Sequence, residues 1–227
     1  VTNSSGINLK NKRGETPGAI IGIEGGDFLG ERIENLDFVA QKGIRIITVI
    51  HACNNQIGGS VNIKNSYQGL SEFGKKVIFR MEKLGVMIDV AHANSITLKG
   101  ITENTSMPLI DSHSNPGNGG RLRSWWDLER IVKTGGLICT CPLSEPGRKT
   151  ISDWADEILL IKKRFGIEHV GLGTDGGGGL PYLVSDYQGV DDLDKLILAM
   201  KAKDFSNKEI NAYMGMNFFN LLKTWTG

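Results

Sequence analysis

No run of roughly eighteen apolar residues occurs in the chain, so no membrane-spanning helix is written into it. A signal-like apolar segment is missing from the first residues as well. Neither sign of charge is in excess: 26 Lys and Arg stand against 25 Asp and Glu, interleaved, for a net charge of +1. That balance excludes the basic field that draws nucleic acid or an anionic membrane, and it suits a small, roughly neutral substrate. Cysteine is scarce, and Cys53, Cys139 and Cys141 have neither the even count of a disulfide framework nor the spacing of a metal site. They read as buried packing thiols. A G-x-G-x-x-G behind a strand is also missing, and Gly176 to Gly179 open no helix with a downstream ribose carboxylate, which argues against a dinucleotide site. No linker-like stretch interrupts the chain, so 1–227 reads as a single domain.

What the sequence does contain is a rhythm. Short runs rich in Ile, Val and Leu recur at 19–23, 44–50, 86–90, 108–110, 137–140 and 169–172. They are apolar almost throughout and do not alternate, which predicts strands buried on both faces, as in a parallel sheet. Helical patterns lie between them at 31–42, 70–84, 95–103, 124–134 and 151–165, several behind a capping residue such as Ser124 or Thr150. Strand and helix alternate about six times, so the class is α/β with right-handed crossovers, either an open sheet or a TIM-type (β/α) barrel.

The polar residues decide for the barrel. Glu24, His51, His92, His113 and Asp175 each fall at or just past the C-terminal end of a different strand, where a barrel gathers its catalytic groups at one mouth. Glu24, His92 and His113 make a carboxylate and imidazole set suited to a divalent ion such as zinc. Asp89 and Asp111 precede two of the histidines inside their strands, where a carboxylate needs partners; they either orient ligands or brace a helix end or loop. Asp175, ahead of four glycines, is placed for proton transfer or for capping its loop. His51 has three readings: ligand, stabiliser of an oxyanion, or loop cap. Arg121 and Arg123 follow the His113 loop, and an arginine there can hold a substrate carboxylate with two hydrogen bonds. His169 starts its strand and reads as structural, while Trp125, Trp126, Trp154 and Trp225 read as packing.

In order, the elements GIEGG, GIRIITVIHACN, GLSEFGKKVI, LGVMIDVAHAN, PLIDSHSN, TGGLI and HVGLGTD resemble the membrane, or renal, dipeptidases, zinc peptidases on a (β/α)8 barrel. The resemblance runs from Gly22 to the helical tail at Asn217. It implies hydrolysis of a dipeptide by water that zinc activates, with two zinc ions per site. Glu24 would bridge the two ions, and His92 and His113 would bind one of them. His51 would contact substrate and steady the tetrahedral intermediate, Asp175 would pass the proton to the leaving amine, and Arg123 would hold substrate.

One element of that family is missing. Its His-x-Asp pair, on a first barrel strand well upstream of GIEGG, supplies ligands to the second zinc; only 23 residues precede Glu24 here, and none is His. Six of eight strands are counted, so the barrel reads as incomplete and truncated at its N-terminal side. The chain is then a piece of a longer enzyme, a chain completed by another, or a shortened homologue. An open parallel edge predicts a homo-oligomer. The competing functions are another metal-dependent amidohydrolase or lactonase on the same barrel, and an inactive homologue acting as a binding protein.

Overall fold

A computed structural model of the chain describes residues 2–7, 18–118, 122–176 and 182–227. Six strands follow the apolar runs: β1 (Ile21–Glu24), β2 (Ile44–Thr48), β3 (Met87–Asp89), β4 (Ile110–Asp111), β5 (Leu137–Thr140) and β6 (Val170–Leu172). Their sheet order is β1-β2-β3-β4-β5-β6, and the strand pairs are parallel. Helices α1 (Glu34–Gln41), α2 (Glu72–Leu84), α3 (Ser95–Asn104), α4 (Trp125–Lys133) and α5 (Ile151–Phe165) fill the expected gaps. Three more follow β6: α6 (Leu193–Ala202), α7 (Asn207–Asn211) and α8 (Asn217–Thr226). The architecture is the α/β one of a TIM-type barrel with six of its strands. It divides into two compact units, Val1–Ile110 with Phe219–Gly227, and Asp111–Phe218.

In the first unit the core runs through β3, where Val86, Met87, Ile88 and Val90 are all fully buried, as the unbroken apolar run requires. Each such side chain contributes on the order of 1.5–3 kcal/mol by leaving water. Helix α2 shows how the sequence sets a boundary. The Ser71 hydroxyl accepts a hydrogen bond from the Gly74 N–H at its start, and Val77, Ile78 and Met81 bury one face. At its end Gly85 takes φ 64, and the Val86 N–H reaches back to the Met81 carbonyl, closing the helix so that β3 can begin. The register pairs Glu24 with Thr48 and Thr48 with Asp89, so the last residues of β1, β2 and β3 stand in a row.

In the second unit β5 pairs with β6 from Ile138 and Val170 to Thr140 and Leu172. Thr140 is buried there and accepts a hydrogen bond from Trp154 Nε1 at 2.8 Å, while Tyr213 Oη shares the same hydroxyl at 3.0 Å. Thr150 and Asp153 form a reciprocal capping box at the start of α5. Two packing expectations fail. Trp126 is 76% exposed, because α4 turns its Leu128 and Ile131 face inward and leaves Trp126 on the other side. Cys53 is exposed on the loop after β2; Cys139 and Cys141 are buried as expected.

Candidate functional site

The first unit brings three of the expected residues together. Glu24 closes β1, His51 stands three residues past β2, and His92 three past β3. Glu24 Oε1 lies 3.1 Å from His92 Nε2, and Glu24 Oε2 lies 3.7 Å from His51 Nε2. The two imidazoles meet edge to face with centroids 4.9 Å apart. One ligand atom from each residue falls within 4.8 Å of the others. Two donors about 2.05 Å from a tetrahedral zinc are roughly 3.3 Å apart, so these separations fit a single divalent ion with little movement. The donor set, one carboxylate and two imidazoles, fits as well.

Local structure explains the meeting. The Asp89 carboxylate is buried and accepts hydrogen bonds from Thr48 Oγ1 at 2.5 Å and from the Ala91 N–H at 3.0 Å. The second bond turns the chain sharply after the strand, and His92 takes φ 62, a left-handed conformation uncommon for a non-glycine residue. Its ring is driven inward until the side chain is 3% exposed, whereas the Glu24 and His51 side chains are each 41% exposed. The site therefore has one buried and two accessible donors. The His51 carbonyl accepts from Ser60 Oγ at 2.7 Å and from Asn62 Nδ2 at 3.2 Å, which holds the loop after β2 in place.

The second unit carries the other expected residues. His113 follows β4, and its Nδ1 lies 2.8 Å from Ser112 Oγ. Asp111 is fully buried and accepts from Ser114 Oγ at 2.5 Å and from Arg123 Nε at 2.7 Å. Arg123 is 2% exposed. Asp175 follows β6 with φ 49, a second left-handed non-glycine residue at a strand exit. The β6 exit passes tightly against the β4 exit: a Cβ on Gly173 would run into the Ser112 carbonyl oxygen. The Asp175 and His113 strand ends are thus neighbours within this unit. His169 donates from Nδ1–H to the Gly136 carbonyl at 2.8 Å, in the structural role expected of it. Arg121 and most of the glycine run lie outside the described residues.

Sequence reasoning grouped His113 with Glu24 and His92 and left His51 open as a ligand, an oxyanion stabiliser or a loop cap, with the resemblance giving it to the substrate; the group that meets in the first unit has His51 as its third member. It also passed over a buried polar cluster of the second unit. Asn115 Nδ2 donates to the Cys141 carbonyl at 3.0 Å and to Glu157 Oε1 at 2.5 Å, and Glu157 is ion-paired with Arg148. Burial pushes the Glu157 carboxyl up to about 7, against the opposing pull of Arg148 and Asn115. Burial likewise pushes the Cys141 thiol up to about 12, so it is no nucleophile. Glu157 is one acid among several on α5, and no spacing marks it.

A model of the family described as membrane dipeptidase, peptidase family M19, matches residues 1–226. An uncharacterized dipeptidase, C965.12, of Schizosaccharomyces pombe is 31% identical over 221 residues, 90% of this chain and 51% of that protein. Dipeptidase tcpJ of Claviceps purpurea is 26% identical over 217 residues, 90% of this chain and 50% of that protein. The chain spans about half the length of these curated relatives. Among solved structures, a metallo peptidase from Rhodobacter sphaeroides, liganded with a phosphinate mimic of the dipeptide L-Ala-D-Ala, superposes with a TM-score of 0.83. It is 21% identical, and the match covers 92% of this chain and 63% of that one.

Proposed function

The chain belongs to the membrane dipeptidase family, peptidase family M19, and from that premise we propose that it serves a hydrolase that cleaves the peptide bond of dipeptides with metal-activated water. The observation that carries the proposal is the meeting of Glu24, His51 and His92, with ligand atoms within 4.8 Å of one another at the C-terminal ends of three adjacent strands. Glu24 and His92 would hold a divalent metal, with zinc the first candidate, and His51 lies within reach as a third donor or a contact to the substrate carbonyl. When bound, the metal polarises the scissile carbonyl and lowers the pKa of its water toward about 7.

The chain's own groups supply the rest. His113, which follows β4, would be a further donor. Asp175, fixed in a left-handed turn after β6, is the group that would carry the proton to the leaving amine. Arg123 would hold the substrate's carboxylate. The protein would act as a homo-oligomer: among the described residues β1 pairs with β2 alone, and Ile21 on β1 is 54% exposed.

The test is a zinc titration by calorimetry beside a substrate panel of dipeptides, N-acyl amino acids and lactones. Binding of zinc by the wild type, at least about 10-fold weaker in His92→Ala, with turnover confined to dipeptides, is the expected result. Turnover of lactones or N-acyl amino acids alone would move the protein to another hydrolase class. Failure of the wild type to bind any divalent metal would overturn the metal centre.

A further inference from the structure

The chain between β2 and α2 runs from Val49 to Ser71, and one short segment of it reaches both histidines of the first unit. Ser60 is wholly buried and donates from Oγ to the His51 carbonyl at 2.7 Å. The next residue, Val61, donates its N–H to the His92 carbonyl at 2.9 Å. The Asn94 N–H in turn donates to the Gly59 carbonyl at 2.9 Å, so Ser60 and Ala93 form an antiparallel bridge. Two consecutive residues therefore tie the exit of β2 to the exit of β3. The segment is itself fixed: Asn54 Oδ1 accepts from the Ser60 N–H at 2.8 Å, and Thr97 Oγ1 accepts from the Gly59 N–H at 2.8 Å. A Cβ on Gly59 would run into the Gln68 carbonyl oxygen and Asn94 Nδ2, so glycine is what lets the segment lie this close.

A metal is held tightly when its donors stand in place before the ion arrives, because binding then has nothing left to order. We propose that Ser60 is a positioning residue for the metal centre. By gripping the backbone of His51 from a segment bonded to the backbone of His92, it sets the spacing of the two imidazoles, whose centroids lie 4.9 Å apart. This rests on the reading of Glu24, His51 and His92 as the metal's donors. It adds that affinity for the ion depends on a hydroxyl that is not a ligand and that belongs to a loop, not to a strand end.

Calorimetric titration of the metal-free chain with zinc, beside thermal melts of the same samples, tests this in Ser60→Ala, Asn62→Ala and Thr150→Ala. Ser60→Ala should lower the melting temperature by roughly 2–6 °C and weaken zinc binding by about 10-fold or more. Asn62 is exposed and donates from Nδ2 to the same His51 carbonyl at 3.2 Å, so Asn62→Ala is the milder arm, with a loss of about 3-fold. Thr150→Ala removes the cap of α5, whose hydroxyl bonds with Asp153 in the second unit; it should cost similar thermal stability and leave zinc affinity at the wild-type value. Once His51→Ala has removed the donor that Ser60 holds, adding Ser60→Ala should weaken binding by less than about 2-fold more. Unchanged zinc affinity in Ser60→Ala, or in Asn62→Ala where Ser60→Ala does not fold, overturns the positioning role and leaves the hydrolase reading standing. A Thr150→Ala that weakens binding as much as Ser60→Ala does the same, since the loss then follows stability alone. A wild type that binds no zinc overturns the metal centre and this inference with it.

Discussion

Gly173 is where the fold leaves least room, and Gly173→Ala is the perturbation that tests how the strand exits are built. Its N–H donates to the Thr140 carbonyl at 3.0 Å as the chain leaves β6. An added Cβ would run into the Ser112 carbonyl oxygen and stand 2.8 Å from the Cβ of Cys139. Neither obstacle is the end of a flexible side chain, so neither can rotate away; the β6 exit or the Ser112 segment has to move. Overpacking of this kind costs about 1–3 kcal/mol, and with backbone as the obstacle the upper value applies. At about 2–4 °C per kcal/mol for a protein of this size, the melting temperature should fall by roughly 6–12 °C.

The displacement lands on two residues of the proposed site. Ser112 adjoins His113, and Asp175 is two residues beyond Gly173, so a shift of under an ångström moves both. Dipeptide hydrolysis by the folded variant should therefore fall by about 10-fold or more at 25 °C, where the protein is still native. Thermal unfolding by circular dichroism and steady-state kinetics measure the two effects. Gly189→Ala is the control: its φ is 168 and nothing lies within 4 Å of the added carbon, so stability should change by less than about 0.5 kcal/mol. A Gly173→Ala protein that melts and turns over like the wild type would refute the close approach of the β4 and β6 exits.

Two further expectations follow from other parts of the molecule. Burial holds the Glu157 carboxyl at about 7, above its ordinary 4.5, so across that window the native protein keeps a proton that the unfolded chain has released. Stability should fall as pH rises from about 4.5 to about 7, and Glu157→Gln should flatten that slope in thermal melts; an unchanged slope in the variant would assign it to other groups. Among the described residues β1 is paired on one side alone, which predicts association: light scattering should return a mass above the 24.8 kDa of one chain, and a monodisperse monomer would count against it.

Much of the fold could be read because parallel strands buried on both faces leave unbroken apolar runs, and all six strands lie on or beside such a run. Helix α6 was not read, because in Leu-Asp-Lys-Leu-Ile-Leu-Ala-Met its apolar residues crowd together and hide the spacing of buried Leu196 and Met200; Leu198 between them is 65% exposed. Trp126 was misjudged for a related reason. Two adjacent tryptophans cannot share a helix face, and the sequence does not say which one turns outward. At the site, strand ends were legible and partners were not. Glu24, His51 and His92 were each placed at a strand exit, but which three donors meet depends on register and on the turn after β3. Glu24 aligns with Thr48, Thr48 with Asp89, and the left-handed His92 then points back toward Glu24. Those are pairings between distant segments, and composition carries no trace of them.

The same local device occurs twice, and its cost argues for what it does. Ile-Asp ends β3 as Ile88 and Asp89 and ends β4 as Ile110 and Asp111, and a histidine follows three or two residues later. Both carboxylates are buried, and each takes at least two hydrogen bonds. A buried carboxylate satisfied in this way is poor value for stability, since an apolar residue of similar volume is often as good or better. What it does provide is direction. Asp89 ties its exit to the neighbouring strand β2 through Thr48, so the His92 turn is set by the sheet itself; Asp111 ties its exit to the loop that follows, through Ser114 and Arg123. His92 is consequently the more rigidly placed of the two histidines. His113 depends on a loop whose geometry is shared with the arginine proposed to read the substrate, so a change in that loop would alter the proposed metal ligand and the proposed substrate contact together.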